Sequence, residues 1–139
     1  MRLVLAPDKA LCEECERKAS KPSVWDFSEF KRPHLTQLDP AKCFLAQGVI
    51  CMGPATRSGC EAQCTGGNMP CTGCFGPTSR VKDQGAKLLG SICSNIAAKD
   101  EEGINKTLDT IPDPVGTFYR YGLANSILRR KINLPANGK

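Results

Sequence analysis

Nine cysteines in a chain of 139 residues constrain this sequence more than any other feature. They run Cys12-x2-Cys15-x27-Cys43-x7-Cys51-x8-Cys60-x3-Cys64-x6-Cys71-x2-Cys74-x18-Cys93. Eight fall into two consecutive groups of four, and Cys93 stands apart. The stretch from Gly48 to Pro77 carries seven Gly and three Pro, which excludes a long helix or a regular sheet there. Glycine permits the positive-φ turns that wrap backbone around a compact object, and it lets amide N–H groups approach sulfur closely. Irregular backbone of this kind has little reason to be ordered without such an object. Only 6% of the residues are aromatic, so a chain of this size builds a modest apolar core.

Four thiolates are what one [4Fe–4S] cube requires, one for each iron. Two groups of four therefore fit two such clusters. Two four-cysteine zinc sites in a non-redox protein that binds protein or nucleic acid would use the same number of ligands. Each group here, however, has a single Cys-x2-Cys pair where a zinc ribbon has two, and Cys60-x3-Cys64-x6-Cys71 is an odd spacing for zinc. A Cys-x2-Cys thiol switch lacks its βαβ setting. The compact Cys-x2-Cys-x2-Cys-x3-Cys run of bacterial ferredoxins is absent. Cys93 shares an apolar stripe with Leu89 and Ile96 and reads as a buried free thiol. His34, the single histidine, reads as a structural or surface residue. With one histidine, Ser-His-Asp and Cys-His catalysis have little to draw on.

The opening, Met1-Arg2-Leu3-Val4-Leu5-Ala6, reaches Pro7 and Asp8 too soon for a secretory signal. No apolar run approaches the roughly 18–20 residues of a membrane span. The default is a cytoplasmic chain, where clustered cysteines bind metal more often than they form disulfides. The net charge is +5. Its concentrated part is a tail of Arg129, Arg130, Lys131 and Lys139, which reads as a solvated end or a docking surface, and no nucleic-acid module accompanies it.

After Pro77 the pattern becomes helical. Val81, Gly85, Leu88, Leu89, Ile92, Cys93 and Ile96 predict an amphipathic helix over 79–97, capped by Thr78 or Ser79. A second helix is expected over 100–110, with acids at its start, and a third over 115–130 beyond Pro112 and Pro114. The fold class is thus mostly irregular, cluster-organised loops with a few α-helices and little or no β-sheet. Residues 1–77 form a cluster-binding region and 78–139 a helical region packed on it, one domain overall. Trp25, Phe27 and Phe30 read as the packing of the long Cys15–Cys43 loop. Glu13, Glu14 and Glu16 read either as plain exposed carboxylates or as charges that would lower the potential of a cluster held by their neighbours Cys12 and Cys15.

Gly48-Val49-Ile50-Cys51-Met52-Gly53-Pro54-Ala55-Thr56-Arg57-Ser58-Gly59-Cys60, with Pro70-Cys71-Thr72-Gly73-Cys74-Phe75-Gly76-Pro77 and Ala10-Leu11-Cys12-Glu13-Glu14-Cys15, resembles the small-subunit family of [NiFe] hydrogenases. The closer resemblance is to its cytoplasmic branch, the F420-non-reducing (methyl-viologen-reducing) hydrogenases and sulfhydrogenases. It covers roughly residues 8–98. It implies that Cys12, Cys15, Cys43 and Cys51 hold a distal-type [4Fe–4S] cluster, and that Cys60, Cys64, Cys71 and Cys74 hold a medial-type one. Relatives often have His as the first distal ligand and Pro in the fourth medial place. Cys12 and Cys64 stand there in this chain, favouring two all-cysteine [4Fe–4S] sites of low potential. The family's flavodoxin-like N-terminal domain is expected to be absent. The implied role is an electron-transfer subunit without a catalytic site of its own. It would sit in a hetero-oligomer with a hydrogenase-type catalytic subunit and a further iron–sulfur or flavin subunit.

Overall fold

The computed structural model describes residue 5 and residues 7–128. Regular structure there is confined to α1 (Gln63–Gly66), α2 (Gln84–Cys93), α3 (Glu101–Asp109) and α4 (Pro114–Phe118), with short 3-10 turns before and after them. Among the described residues β-structure is limited to two isolated bridges, Ala10 with Arg57 and Phe27 with Ile96. This is the loop-dominated architecture that the cysteine and glycine pattern predicts. No helix among the described residues is long and apolar enough to cross a membrane.

Without ladders, buried backbone groups must pair across long stretches of chain. Leu11 N–H donates to Thr56 O (2.8 Å), Ser58 N–H to Lys9 O (2.8 Å) and Arg57 N–H to Gly76 O (2.9 Å). The first two bonds sew the N-terminal segment to the loop between the two cysteine groups, and the third ties that loop to the chain after Cys74. Phe27 N–H donates to Asn95 O (2.9 Å) and Ala97 N–H to Phe27 O (2.8 Å), which pins the aromatic loop to the chain leaving α2. In that loop Trp25 stacks on Phe27 at 5.6 Å between centroids, and Phe27 meets Phe30 at 5.3 Å.

The helices are shorter than their apolar patterns suggest. α2 begins after Asp83, whose Oδ1 accepts the Ala86 N–H at 2.9 Å, not after Thr78 or Ser79. Asp caps as well as Ser, and a start at residue 84 sets Gln84, Gly85, Leu88 and Ile92 on one buried face. Ser94 Oγ and Asn95 Nδ2 donate to Gly90 O and Ser91 O, satisfying terminal carbonyls, and Ile96 leaves to bridge Phe27. Cys93 is exposed, not buried. The inward face runs through residues 84, 88 and 92, and Cys93, one residue further, is rotated about 100° away from its centre. α3 follows its expected range, with Asp100 as cap. α4 stops at Phe118, well short of 130. Val115, Gly116 and Thr117 are poor helix formers, which leaves little to propagate a turn that is costly to nucleate. Residues 129 and 130 of that expected helix, and the basic tail, lie outside the described residues.

Leu11, Phe44, Val49, Leu88 and Ile92 are almost wholly buried, and Cys43, Cys51 and Cys71 belong to the same core. The apolar centre of the molecule thus grows directly out of its cysteine loops.

Candidate metal centre

The first cysteine group converges. Cys12 lies on the turn Leu11–Glu13, and Cys15 immediately precedes the turn Glu16–Ser20. Cys43 and Cys51 sit beside the core residues Phe44 and Met52. All four line one small cavity of about 20 Å³ that is partly open to solvent, with Leu11, Phe44, Leu45, Pro54, Arg17 and Lys21 among its walls. Gly53 faces two of the sulfurs: a Cβ there would stand 3.3 Å from Cys12 Sγ and 3.5 Å from Cys51 Sγ. Burial pushes the Cys51 thiol up to about 12, against the pull of hydrogen bonds from the Gly53 and Cys71 N–H groups. Burial also raises the Cys12 thiol, and Lys21, in hydrogen-bond reach of it, opposes the shift. A metal binding these thiols must therefore displace protons.

The second group is wound differently. Cys71 is buried, and Cys60 and Cys74 lie close enough to act on its titration; burial is the main cause of its raised pKa. Its sulfur accepts the Gly73 N–H at 3.4 Å and lies 3.6 Å from Thr56 Oγ1. Cys64 is exposed on α1, and its thiol makes no hydrogen bond among the described residues. Cys60 and Cys74 thus each lie near Cys71, and Cys64 and Cys74 are both exposed. The turn between Cys60 and Cys64 is strained: Glu61 and Ala62 both have positive φ, 56° and 52°, at roughly 1–2 kcal/mol each for L-residues. The Ala62 carbonyl holds it by accepting from Thr65 Oγ1 and from the Gly66 N–H, both at 2.9 Å.

The two groups touch. Cys71 N–H donates to Cys51 Sγ at 3.3 Å, and Cys15 Sγ lies 3.4 Å from Thr65 Oγ1, one residue from Cys64. Glu14 clamps the Gly59 N–H with both carboxylate oxygens, at 2.9 and 3.0 Å, just before Cys60.

Several of these residues give no signal in the sequence. Thr56, 0% exposed, donates to Met52 O (2.7 Å) and accepts from Gln84 Nε2 (2.9 Å), which also reaches Gly73 O (3.1 Å). Replacing Thr56 with Val keeps the shape and strands these partners. The expected cost is about 1–3 kcal/mol, read as a lowered denaturation midpoint; an unchanged midpoint would show that Gln84 finds another acceptor. Arg17 and Gly53 could have been suspected only from their nearness to Cys15 and Cys51. Of the three carboxylates beside the first pair, Glu13 is paired with Lys18 and Glu14 with the Gly59 amide. His34 is exposed.

Among the described residues no three Cys, His, Asp or Glu side chains approach closely enough to hold a single metal ion. Four thiols around a shared apolar cavity, amide N–H groups aimed at sulfur and a glycine against two sulfurs instead fit a cluster of several atoms.

No protein-family model matches the chain. Curated relatives do. The chain is 40% identical over 125 residues to the F420-non-reducing hydrogenase G subunit of Methanothermus fervidus, covering 87% of this chain and 97% of that protein. It is 37% identical over 129 residues to the protein of the same name from Methanothermobacter thermautotrophicus, covering 91% of this chain and 42% of the relative. It is 33% identical over 126 residues to the F420-non-reducing hydrogenase iron–sulfur G subunit of Archaeoglobus profundus, covering 89% and 39%. The chain thus spans nearly all of the first relative and about two fifths of the length of the other two.

Proposed function

The chain belongs to the family of the F420-non-reducing hydrogenase G subunit, and from that premise we propose that it is an electron-transfer subunit holding two [4Fe–4S] clusters. Cys12, Cys15, Cys43 and Cys51 hold the first, and Cys60, Cys64, Cys71 and Cys74 the second. It relays single electrons between a hydrogenase-type catalytic subunit and a second carrier, within a cytoplasmic hetero-oligomer, as a member of the small-subunit branch. The observation that carries this reading is the gathering of four sequence-distant cysteines around one cavity.

The clusters would supply the one-electron chemistry. The protein's own part is to present thiolates, aim the Gly53, Cys71 and Gly73 amides at sulfur, and keep water out with Leu11, Phe44 and Leu45. The Cys71 N–H to Cys51 Sγ bond gives the two sites a short connection, as a relay needs. Of the regions expected over 1–77 and 78–139, the described part of the first would hold the clusters, and the described part of the second would brace it, with Gln84 as one brace.

Iron, zinc and acid-labile sulfide on anaerobically purified protein test the proposal, with EPR of the reduced sample. About eight irons and eight sulfides per chain, and signals of two interacting cubanes, are expected. About seven irons would mean a three-iron second site without Cys64. About two zincs and no sulfide would overturn the relay and restore the zinc reading.

A further inference from the structure

Arg17 is 5% exposed, and an isolated buried charge is costly unless something compensates it. Its hydrogen bonds are well met. Nε donates to Thr65 O (3.1 Å), Nη1 to Asp39 O (3.0 Å) and Lys42 O (2.9 Å), and Nη2 to Asn68 Oδ1 (2.9 Å). The guanidinium also stacks over the Phe44 ring at 4.3 Å. Every one of these partners is neutral. Among the described residues no carboxylate lies within ion-pair distance of Arg17. The fork is satisfied, and the charge is not.

Arg17 lines the cavity of Cys12, Cys15, Cys43 and Cys51 together with Lys21, and it also lines an open hollow shared with Glu14, Glu16 and Glu61, none of which is paired with it. An oxidised [4Fe–4S] core bound by four thiolates carries a net charge of about −2, and one-electron reduction makes it about −3. A guanidinium stays protonated under all ordinary conditions. We infer that Arg17, seconded by Lys21, is the built-in countercharge of the group held by the first four cysteines, and that it holds that group's reduction potential up. The inference rests on the two-cluster reading. It also reverses the sign that the acidic run Glu13, Glu14 and Glu16 suggests. Glu13 is exposed and paired with Lys18, so water screens it, whereas Arg17 acts from inside, where charges interact more strongly.

The test is a redox titration of the full chain, followed by EPR, with iron and sulfide determined on the same samples. Arg17→Gln is expected to keep both clusters and to weaken the reduction of one of them at least tenfold, about 59 mV downward for one electron. Arg17→Lys, which keeps the charge and loses the fork, should shift far less. Lys21→Gln, at a half-buried position, should shift in the same direction by a smaller amount. If Arg17→Gln does not accumulate, Asn68→Asp sets a carboxylate against Nη2 without removing Arg17, and the same downward shift is expected. Unmoved potentials in a fully loaded Arg17→Gln, or in Asn68→Asp where that variant is the one obtained, would overturn the inference. Equal shifts in Arg17→Gln and Arg17→Lys would also overturn it, because the hydrogen-bond fork and not the charge would then be responsible. Wild-type protein without sulfide would sink the two-cluster reading and this inference together, and the unaltered chain alone decides that outcome.

Discussion

Replacing Cys51 with Ser is expected to remove about four of about eight irons per chain and to unfold much of the molecule with them. Cys51 is buried in the core and sits across Gly53 from Cys12. Two amides, of Gly53 and Cys71, point at its sulfur. A serine hydroxyl is a harder and shorter donor than thiolate and a poor match for iron–sulfur chemistry. It would also leave those amides badly paired in an apolar setting. The regular elements are too short to stand alone, so on the two-cluster reading the free energy of binding the cluster would be in large part the free energy of folding. The expected loss is comparable with the roughly 5–15 kcal/mol that stabilises a typical domain. Iron content and a thermal melt measure it, with Cys93→Ser as the control. Cys93 is exposed on α2, and its loss should change neither quantity. Full iron in the Cys51 variant would remove this residue from the ligand set.

Gly85→Ala sets two local rules against each other. In an isolated helix the change stabilises by about 1 kcal/mol. In this fold the added methyl would stand 2.7 Å from Phe118 O and 2.7 Å from the Tyr119 ring. Backbone cannot step aside as a flexible side chain can, so α4 must lift from α2 at Gly85. Overpacking of this kind costs about 1–3 kcal/mol or more, so the net effect is a destabilisation. It also strains Asp83, which caps α2, accepts the Ile127 N–H at 2.8 Å and helps hold the Tyr119 hydroxyl above its usual range, behind burial as the main cause. A raised melting temperature would show that the two helices slide apart freely.

The fold class was legible because it follows from what the chain cannot do. Seven glycines and three prolines around the cysteines forbid long elements, and spaced apolar residues after Pro77 demand helices. Helix ends were less legible, because Thr78, Ser79 and Asp83 are all competent caps and only the packing of Gly85 and Ile92 chooses among them. The membership of the first cysteine group in one cavity agrees with its order in the chain. The second group is wound more openly: Cys71 is buried with Cys60 and Cys74 near it, while Cys64 and Cys74 are exposed. Arg17, Thr56 and Gln84 escaped notice because polar residues announce themselves by their partners, and those partners lie far away in sequence.

The hydrogen bond from Cys71 to Cys51 also bears on the order of synthesis. During translation all four thiols of the first group emerge before the second group begins. The amide that completes the setting of Cys51 arrives twenty residues later, carried by a cysteine of the second group. Cys15 waits in the same way for Thr65. A nascent chain halted after Cys51 therefore offers the right sulfurs in an unfinished pocket. On the two-cluster reading, neither site would be complete until the whole cysteine region has left the ribosome.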